Sequence, residues 1–348
     1  MAFKTTISKI HYNKEARGPI FGLLKFCSLF YALGSGFKNH LYDTGKLKPK
    51  KVDAYVISVG NLTTGGVGKT PVVAEIAKYL KEKGEKVAII SRGYGAKLSN
   101  KRVNVISDGE TIFLKSSLAG DEPHWLAKNT GVYVLTCKDR YKAAKYAIEK
   151  FGATKIILDD GFQHRKLHRD LNIVLVDSEM GFGNENLLPA GPLREGLEAF
   201  ERIDKLVVVS KNTDRLRAKR TARILGRKLK KDAIVCFTEP DFAYNIFTPE
   251  DKLQAGEKVL AFSAIGQPQQ FYNFLKDYNL VKTVDFDDHH NYTQADINKL
   301  QQLCTNSDVQ KLVTTEKDGG KCKALSFYLS LYALKLKTEI DVEKLLRD

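Results

Sequence analysis

Residues 59–71 read Val-Gly-Asn-Leu-Thr-Thr-Gly-Gly-Val-Gly-Lys-Thr-Pro and form a glycine-rich turn between two segments of different periodicity. The β-branched, apolar run at 55–59 predicts a buried strand before the turn, and residues 72–83 predict a helix after it. A glycine-rich turn that ends in Gly-Lys-Thr between a strand and a helix is typical of a phosphate-binding loop. The stretch therefore predicts an α/β fold in which this loop holds a nucleoside triphosphate.

Each part of the loop has an expected task. Backbone N–H groups would surround the phosphates of ATP, Lys69 would neutralise phosphate oxygens, and the Thr70 hydroxyl would bind Mg²⁺. The loop is a variant, because Thr63 stands where the first glycine of the usual pattern falls. A plain structural turn is the alternative, and the Gly-Lys-Thr ending counts against it. The predicted nucleotide-binding residues are Thr64, Gly65, Gly66, Val67, Gly68, Lys69 and Thr70.

Strand-like and helix-like segments alternate along the chain. Apolar runs at 86–90, 132–136, 155–158 and 171–176 predict strands, with helical patterns between them. Such alternation is typical of a doubly wound sheet. We expect a P-loop NTPase-like α/β fold, with a mostly parallel sheet, helices on both faces and a second, smaller α/β domain. The expected segments are a membrane-associated helix within 1–45, a P-loop domain over 46–204, a second α/β domain over 205–331, and a tail over 332–348 that returns to the first domain.

An apolar stretch at 20–37 lies between basic flanks near the N-terminus. Gly22, Ser28 and Gly36 share one face of a helical wheel, and large apolar residues cover most of the rest. This pattern favours a helix that lies in a membrane interface. A buried core helix, a signal peptide and a true membrane span are the alternatives. The phosphate loop counts against export, because ATP chemistry belongs in the cytosol.

The chain of 348 residues has a net charge of +15, and much of the excess falls within 211–231. A basic excess suits nucleic acid, anionic lipid or phosphorylated substrates. The basic segment predicts a helix whose charges form either a solvated face or a patch for a membrane surface or a phosphate. It lacks interleaved aromatic residues, so we do not expect nucleic acid as a partner. Five cysteines without a Cys-x-x-Cys pair suit a reducing cytosol.

Two acidic motifs are candidates for catalysis. Asp159 and Asp160 end an apolar strand, where a phosphate-loop protein places its second contact to Mg²⁺. The alternative for this pair is an exposed turn. Asp121 lies in Gly-Asp-Glu-Pro before a helical segment and is either a general base near the γ-phosphate or a simple helix cap.

A histidine pair, His289 and His290, follows two aspartates at 287–288. The cluster could bind a metal, or an aspartate could orient a histidine that acts as a base. A surface turn is equally consistent with the spacing. Thr293 and Asp296 predict a capped helix immediately afterwards.

From about residue 56 to 318 the chain resembles the tetraacyldisaccharide 4′-kinase family, the lipid A 4′-kinases of Gram-negative envelope synthesis. The motifs that carry the resemblance occur in order as VGNLTTGGVGKTP, SRGYG, GDEP, DDGFQHRKLHRDLNIVLVD, LLPAGPLRE, FSAIGQP, DHHNYT and VTTEKD. Eight motifs in order are far more specific than the phosphate loop alone.

The resemblance implies transfer of the ATP γ-phosphoryl group, with Mg²⁺, to the 4′-hydroxyl of a tetraacylated glucosamine disaccharide 1-phosphate. It also implies two α/β domains with the active site between them. The N-terminal helix would seat a monomeric enzyme on the cytoplasmic face of the inner membrane, against its anionic surface. By the same resemblance, Asp121 is the base, and His289 or His290 is its partner, His289 being favoured. Thr70, Asp159 and Asp160 are the expected contacts to the metal ion. His164, Arg194 and Glu195 are secondary candidates for contacts to the substrate.

A second class of enzyme also has a loop of this kind. Partition- and septum-positioning ATPases of the deviant phosphate-loop class read Lys-Gly-Gly-Val-Gly-Lys-Thr, and this chain has Thr64 in place of the first lysine. That lysine defines the class. Its absence, together with the DHHNYT and DDGFQHR motifs, favours the lipid kinase.

Overall fold

The computed structural model describes residues 7, 9–93, 96–211, 214–288 and 290–347. The chain divides into two compact units. The first unit contains Met1–Ser210, Asp214–Cys236 and Ile340–Asp348. The second contains Lys211–Thr213 and Phe237–Glu339.

Seven strands lie wholly within the first unit and run in the order β7-β6-β1-β5-β2-β4-β3. Neighbouring strands are parallel except for β3, which is antiparallel to β4. The strand β1 is central, between β5 and β6. The strands are β1 (Tyr55–Asn61), β2 (Val87–Ser91), β3 (Asn104–Asp108), β4 (Tyr133–Thr136), β5 (Lys155–Asp159), β6 (Leu171–Asp177) and β7 (Lys205–Ser210).

Helices cover both faces of this sheet, as predicted. Alternate residues of a strand point to opposite faces, so Ile157 packs in one apolar cluster with the helix Lys69–Glu82. Its neighbour Ile156 packs in another cluster with the helix Arg140–Phe151. Further helices of the unit among the described residues are Pro19–Asp43, Ser116–Ala119, Asp121–Thr130, Arg215–Leu229 and Val342–Leu346, with a 3₁₀ turn at Leu197–Arg202.

The second unit is a smaller α/β structure. Strand β8 (Asp232–Asn245) begins in the first unit and ends in the second. The order is β10-β9-β11-β12-β8, and only β8 is antiparallel to its neighbour. The elements of this unit are β9 (Lys258–Ser263), β10 (Asn279–Asp285), β11 (Lys311–Thr315) and β12 (Ser330–Glu339), with helices Pro268–Asn273, Gln294–Asn306 and Glu316–Cys322.

The boundary between the units differs from the predicted boundary at 204/205. Strand β7 pairs with β6, and Val207 and Val209 lie in the core of the first unit, which therefore continues to Cys236. The tail over 332–348 was expected to return to the first domain, but only Ile340–Asp348 belongs to the first unit. Strand β12 pairs with β11 and β8 in the second unit, whereas Val342 and Leu345 pack into the core of the first.

The N-terminal helix, Pro19–Asp43, has one polar and one apolar side. Its polar side docks on the first unit, where Ser28 and Asn39 are buried. The helix is long and apolar enough to cross a membrane. Only 6% of its most apolar stretch is buried against the rest of the chain, so the core-helix alternative is wrong. The exposed apolar residues are Ile20, Leu23, Phe26, Leu29, Phe30, Leu33 and Phe37.

Candidate active site

The phosphate loop leaves the carboxyl end of the central strand β1. In a parallel sheet this edge, between neighbouring strands, is where ligands bind. Gly65 and Gly68 adopt φ values of 112° and 96°, which glycine tolerates, and the helix begins at Lys69. The loop therefore presents the first turn of a helix to the carboxyl edge of the sheet, as an anion site requires.

Asp160 is held between two cations. Its Oδ1 lies 3.5 Å from Lys69 Nζ, and its Oδ2 lies 2.9 Å from Arg194 Nη1. Burial favours the protonated form, but the two cations outweigh it and hold the pKa of Asp160 below its usual range. Asn61 Oδ1 also accepts a hydrogen bond from Lys69 Nζ at 3.0 Å. Both Lys69 and Arg194 are thus already oriented at the phosphate loop.

The surroundings of Asp159 shift its pKa in the opposite direction to that of Asp160. Burial, and then the nearby charge of Glu122, raise the pKa of Asp159 to about 7, although Lys69 and a hydrogen bond from Ser91 act against the rise. A carboxyl buried beside another carboxylate is stabilised in its ionised form by a hard cation. Together with Asp160 and the Thr70 hydroxyl, it supplies the oxygen ligands that Mg²⁺ prefers, so these residues fit that ion.

Asp121 is the first residue of the helix Asp121–Thr130. The cap position belongs to Gly120, and no side chain caps this helix, so the cap alternative for Asp121 is wrong. Its Oδ1 accepts a hydrogen bond from Ser116 Oγ at 3.1 Å. The next residue, Glu122, acts electrostatically on Asp159, which places the start of this helix near the end of β5.

The segment 187–195 connects the phosphate loop to the N-terminal helix. Thr64 N donates to Pro192 O at 2.8 Å, and Arg194 N donates to Leu62 O at 2.8 Å, so Arg194 is held against the loop. Glu195 is buried; it accepts a hydrogen bond from Asn39 Nδ2 at 2.8 Å and pairs with Arg202. Glu195 therefore fastens the helix to this segment.

His164 follows the acidic pair. Burial, and then the charge of Arg140, lower the pKa of its ring to about 4. Its Nε2 is buried and has no hydrogen-bond partner among the described residues. At neutral pH His164 is therefore uncharged.

His290 lies in the second unit. Its Nε2 is 3.0 Å from Asp296 Oδ2, and the same carboxylate forms the predicted capping box with Thr293. Lys321, which pairs with the fully buried Asp318, donates to the backbone oxygen of His290 at 3.2 Å. His289, the favoured member of the pair, lies outside the described residues.

Several residues at this site carried no clear signal in the sequence. Asn61 and Ser91 lie inside motifs that resemble the family, but nothing in their spacing indicated bonds to Lys69 and Asp159. Tyr12 gave no signal at all. Its hydroxyl donates to Thr64 O at 3.2 Å, so a residue before the N-terminal helix also contacts the phosphate loop.

The chain is similar to known proteins of one family. A family model described as LpxK, tetraacyldisaccharide-1-P 4′-kinase, matches residues 20–348. The tetraacyldisaccharide 4′-kinase of Syntrophus aciditrophicus is 36% identical, over 95% of this chain and 91% of the relative. The enzyme of the same name from Desulfotalea psychrophila is 38% identical, over 87% of this chain and 88% of the relative.

Among solved structures, the crystal structure of LpxK from Aquifex aeolicus in complex with ATP matches with a TM-score of 0.72. It is 33% identical and is aligned over 94% of this chain and 97% of that chain. Sequence and structure thus match across both units. The predicted resemblance is confirmed, and the chain belongs to the tetraacyldisaccharide-1-P 4′-kinase family.

Proposed function

We propose that this kinase transfers the γ-phosphoryl group of ATP to the 4′-hydroxyl of a tetraacylated glucosamine disaccharide 1-phosphate, the lipid A precursor. The observation that carries the proposal is the placement of Asp160 between Lys69 and Arg194, beside the phosphate loop and the buried Asp159. A phosphoryl group in transfer spreads negative charge over its oxygens, so oriented cations are the main requirement. Family membership supplies the substrate.

Each group has a proposed task in the transfer. The loop N–H groups and Lys69 would bind phosphate oxygens, and Thr70, Asp159 and Asp160 would hold Mg²⁺, which would supply charge neutralisation for the transfer. Asp121 accepts the proton of the attacking 4′-hydroxyl as the new O–P bond forms and the bond from the γ-phosphorus to the β,γ-bridging oxygen breaks, with ADP as the leaving group. For His164, Glu195 and the pair His289–His290 we propose supporting roles, which separate substitutions would test.

We also propose that the enzyme works as a monomer on the cytoplasmic face of the bacterial inner membrane. The support is the N-terminal helix, whose exposed side carries seven large apolar residues. A helix of this kind binds in the interface or is anchored in the bilayer. The acyl chains of the substrate then stay in the lipid while its sugar reaches the phosphate loop, and the net charge of +15 favours an anionic surface.

The test is phosphate transfer from γ-labelled ATP to the tetraacyl disaccharide 1-phosphate in detergent micelles. Wild type should produce labelled lipid, and Lys69→Ala should lower the rate by at least ~10²-fold, because charge neutralisation contributes several kcal/mol to such transfers. A reaction without lipid measures ATP hydrolysis alone. Hydrolysis without labelled lipid would contradict the kinase and favour the partition-type ATPase.

A further inference from the structure

The basic helix, Arg215–Leu229, has an outward face that the proposed catalytic site does not use. This cationic face consists of Lys219, Arg220, Arg223 and Arg227 together with the aliphatic residues Leu216 and Ile224, all of them exposed. At 100° per residue, positions 216, 220, 223 and 227 form one stripe along the helix. Leu216 is 82% exposed, a high value for a leucine side chain.

The opposite side of the helix attaches it to the first unit. Ala218 and Ala222 are buried there, and Thr221 Oγ1 donates to Ser178 O at 3.2 Å. The small alanines bring the helix close to the sheet, so the cationic face points away from the protein. Its orientation is therefore set by packing and does not depend on a bound partner.

The charges of the cationic face have no counter-ions among the residues that the structure describes. Two other basic residues of the helix pair with carboxylates: Lys228 lies 3.2 Å from Glu185, and Arg217 lies 4.0 Å from Glu179. Within the described part of the chain, no ion pair involves the four cations of the cationic face. Like charges held on one exposed face repel each other, and an anionic surface removes that cost.

The basic helix and the N-terminal helix contact the same segment, 178–190. Ser178 and Glu185 bind the basic helix. Further along, Leu187 O accepts a hydrogen bond from Ser28 Oγ at 3.0 Å, and Ala190 N donates to Ser28 Oγ at 3.1 Å. The cationic face is thus attached through one short segment to the helix whose exposed side is apolar.

We propose that the cationic face binds the anionic headgroups of a phospholipid bilayer and is a second membrane contact beside the N-terminal helix. Aliphatic side chains among cations on one helix face are typical of interfacial binding, where the aliphatic groups enter the headgroup region. Nucleic acid is the weaker partner, since this helix offers no aromatic side chain on which a base could stack. The proposal rests on the proposed function only in placing the enzyme at a membrane.

The test compares two variants of the full-length protein that lose the same charge. One carries Lys219→Gln, Arg220→Gln, Arg223→Gln and Arg227→Gln. The matched control carries Lys128→Gln, Lys142→Gln, Lys145→Gln and Lys150→Gln, which are exposed on other helices of the same unit. Far-UV circular dichroism and thermal melts verify that both are folded, and flotation with vesicles measures binding.

With vesicles that contain anionic phosphatidylglycerol at 0.15 M salt, the first variant should bind at least ~10²-fold more weakly than wild type, because each cation near such a surface contributes about fivefold. The control should bind within a few-fold of wild type. On purely zwitterionic vesicles, all three proteins should bind alike through the N-terminal helix. Equal binding of the two variants to anionic vesicles would overturn the proposal, as would a loss confined to binding of an RNA or DNA oligonucleotide.

A kinase assay in detergent micelles separates this proposal from the proposed function. The first variant should keep wild-type turnover there, because its substitutions lie outside the catalytic residues. An absence of kinase activity in wild type would refute the proposed function and leave the vesicle result unaffected. A loss of turnover in the first variant alone would overturn the assignment of this face to headgroups.

Discussion

Asp121 lies at the start of its helix without serving as its cap, and its carboxylate accepts a hydrogen bond from Ser116. We expect Asp121→Asn, which keeps the shape and removes the basicity, to lower kcat by ~10²- to 10⁴-fold and to leave the affinity for ATP near that of wild type. Steady-state kinetics and ATP binding would measure the two effects. Ser116→Ala, which removes only the hydrogen bond to the carboxylate, should cost much less. A kcat within tenfold of wild type would exclude Asp121 as the base.

His164 gives a prediction for stability against pH. Its pKa in the folded chain is about 4, below the ordinary value of 6.5, so folding favours the neutral ring. The stability associated with His164 is fully present above pH 6.5 and is lost as the pH falls towards 4. His164→Gln should therefore flatten the fall of Tm over this range, as followed by circular dichroism. His168→Gln is the control, since that ring is partly exposed; parallel curves for the two variants would contradict the prediction.

At the residue scale, motif chemistry predicted which side chains surround the phosphate loop better than it predicted their contacts. The pairing of Lys69 with Asp160 follows from the fold, because β1 and β5 are parallel neighbours. Lys69 lies after the end of β1 and Asp160 directly after the end of β5, so both are expected at the same edge of the sheet. The bonds of Tyr12 to Thr64 and of Asn61 to Lys69 depend on how loops fold back, and no periodicity records such contacts.

At the scale of elements, the two sides of the N-terminal helix differ: the polar side docks on the first unit, and the other side exposes large apolar residues. We expect Leu23→Ser, Phe26→Ser, Phe30→Ser and Leu33→Ser together to move the protein from the membrane fraction to the soluble fraction, because each side chain contributes roughly 1.5–3 kcal/mol when it leaves water. Kinase activity on micellar substrate should persist, since the docked polar side is unchanged. Removal of residues 1–37 would also remove the bonds of Ser28 and Tyr31, and so is the less selective control. Unchanged flotation of the fourfold variant would contradict an apolar membrane contact.

Most strands and helices were predictable, because their apolar periodicity is strong and turns separate them. Strand β8 is longer than local sequence indicates: the apolar run at 233–238 favours a strand, but the strand continues to Asn245 through Pro240 and Asp241. Proline and aspartate are depleted in strands, so local propensity ended the prediction too early. In the structure, pairing with β12 over residues 237–245 outweighs that propensity.

For the whole molecule, the division into units depends on contacts between residues distant in sequence. The sequence changes character near residue 200, where a loop rich in glycine and proline precedes β7, and that change suggested a boundary. Pairing of β7 with β6, and packing of Leu345 in the same apolar cluster as Ile76, instead keep 205–236 and the last residues in the first unit. Both contacts join residues that are far apart in the chain, so local composition does not indicate them.

The placement of Asp160 between Lys69 and Arg194 also constrains how this chain can evolve. Asp160 has a φ of 51°, a conformation that aspartate and asparagine tolerate better than most residues, and its carboxylate pairs with two cations at once. Loss of Asp160 leaves both cations without their carboxylate partner, whereas loss of Lys69 or Arg194 leaves Asp160 paired with the remaining cation. Substitutions at these positions should therefore be non-additive in double-mutant cycles, and a lineage should tolerate replacement of Arg194 more readily than replacement of Asp160.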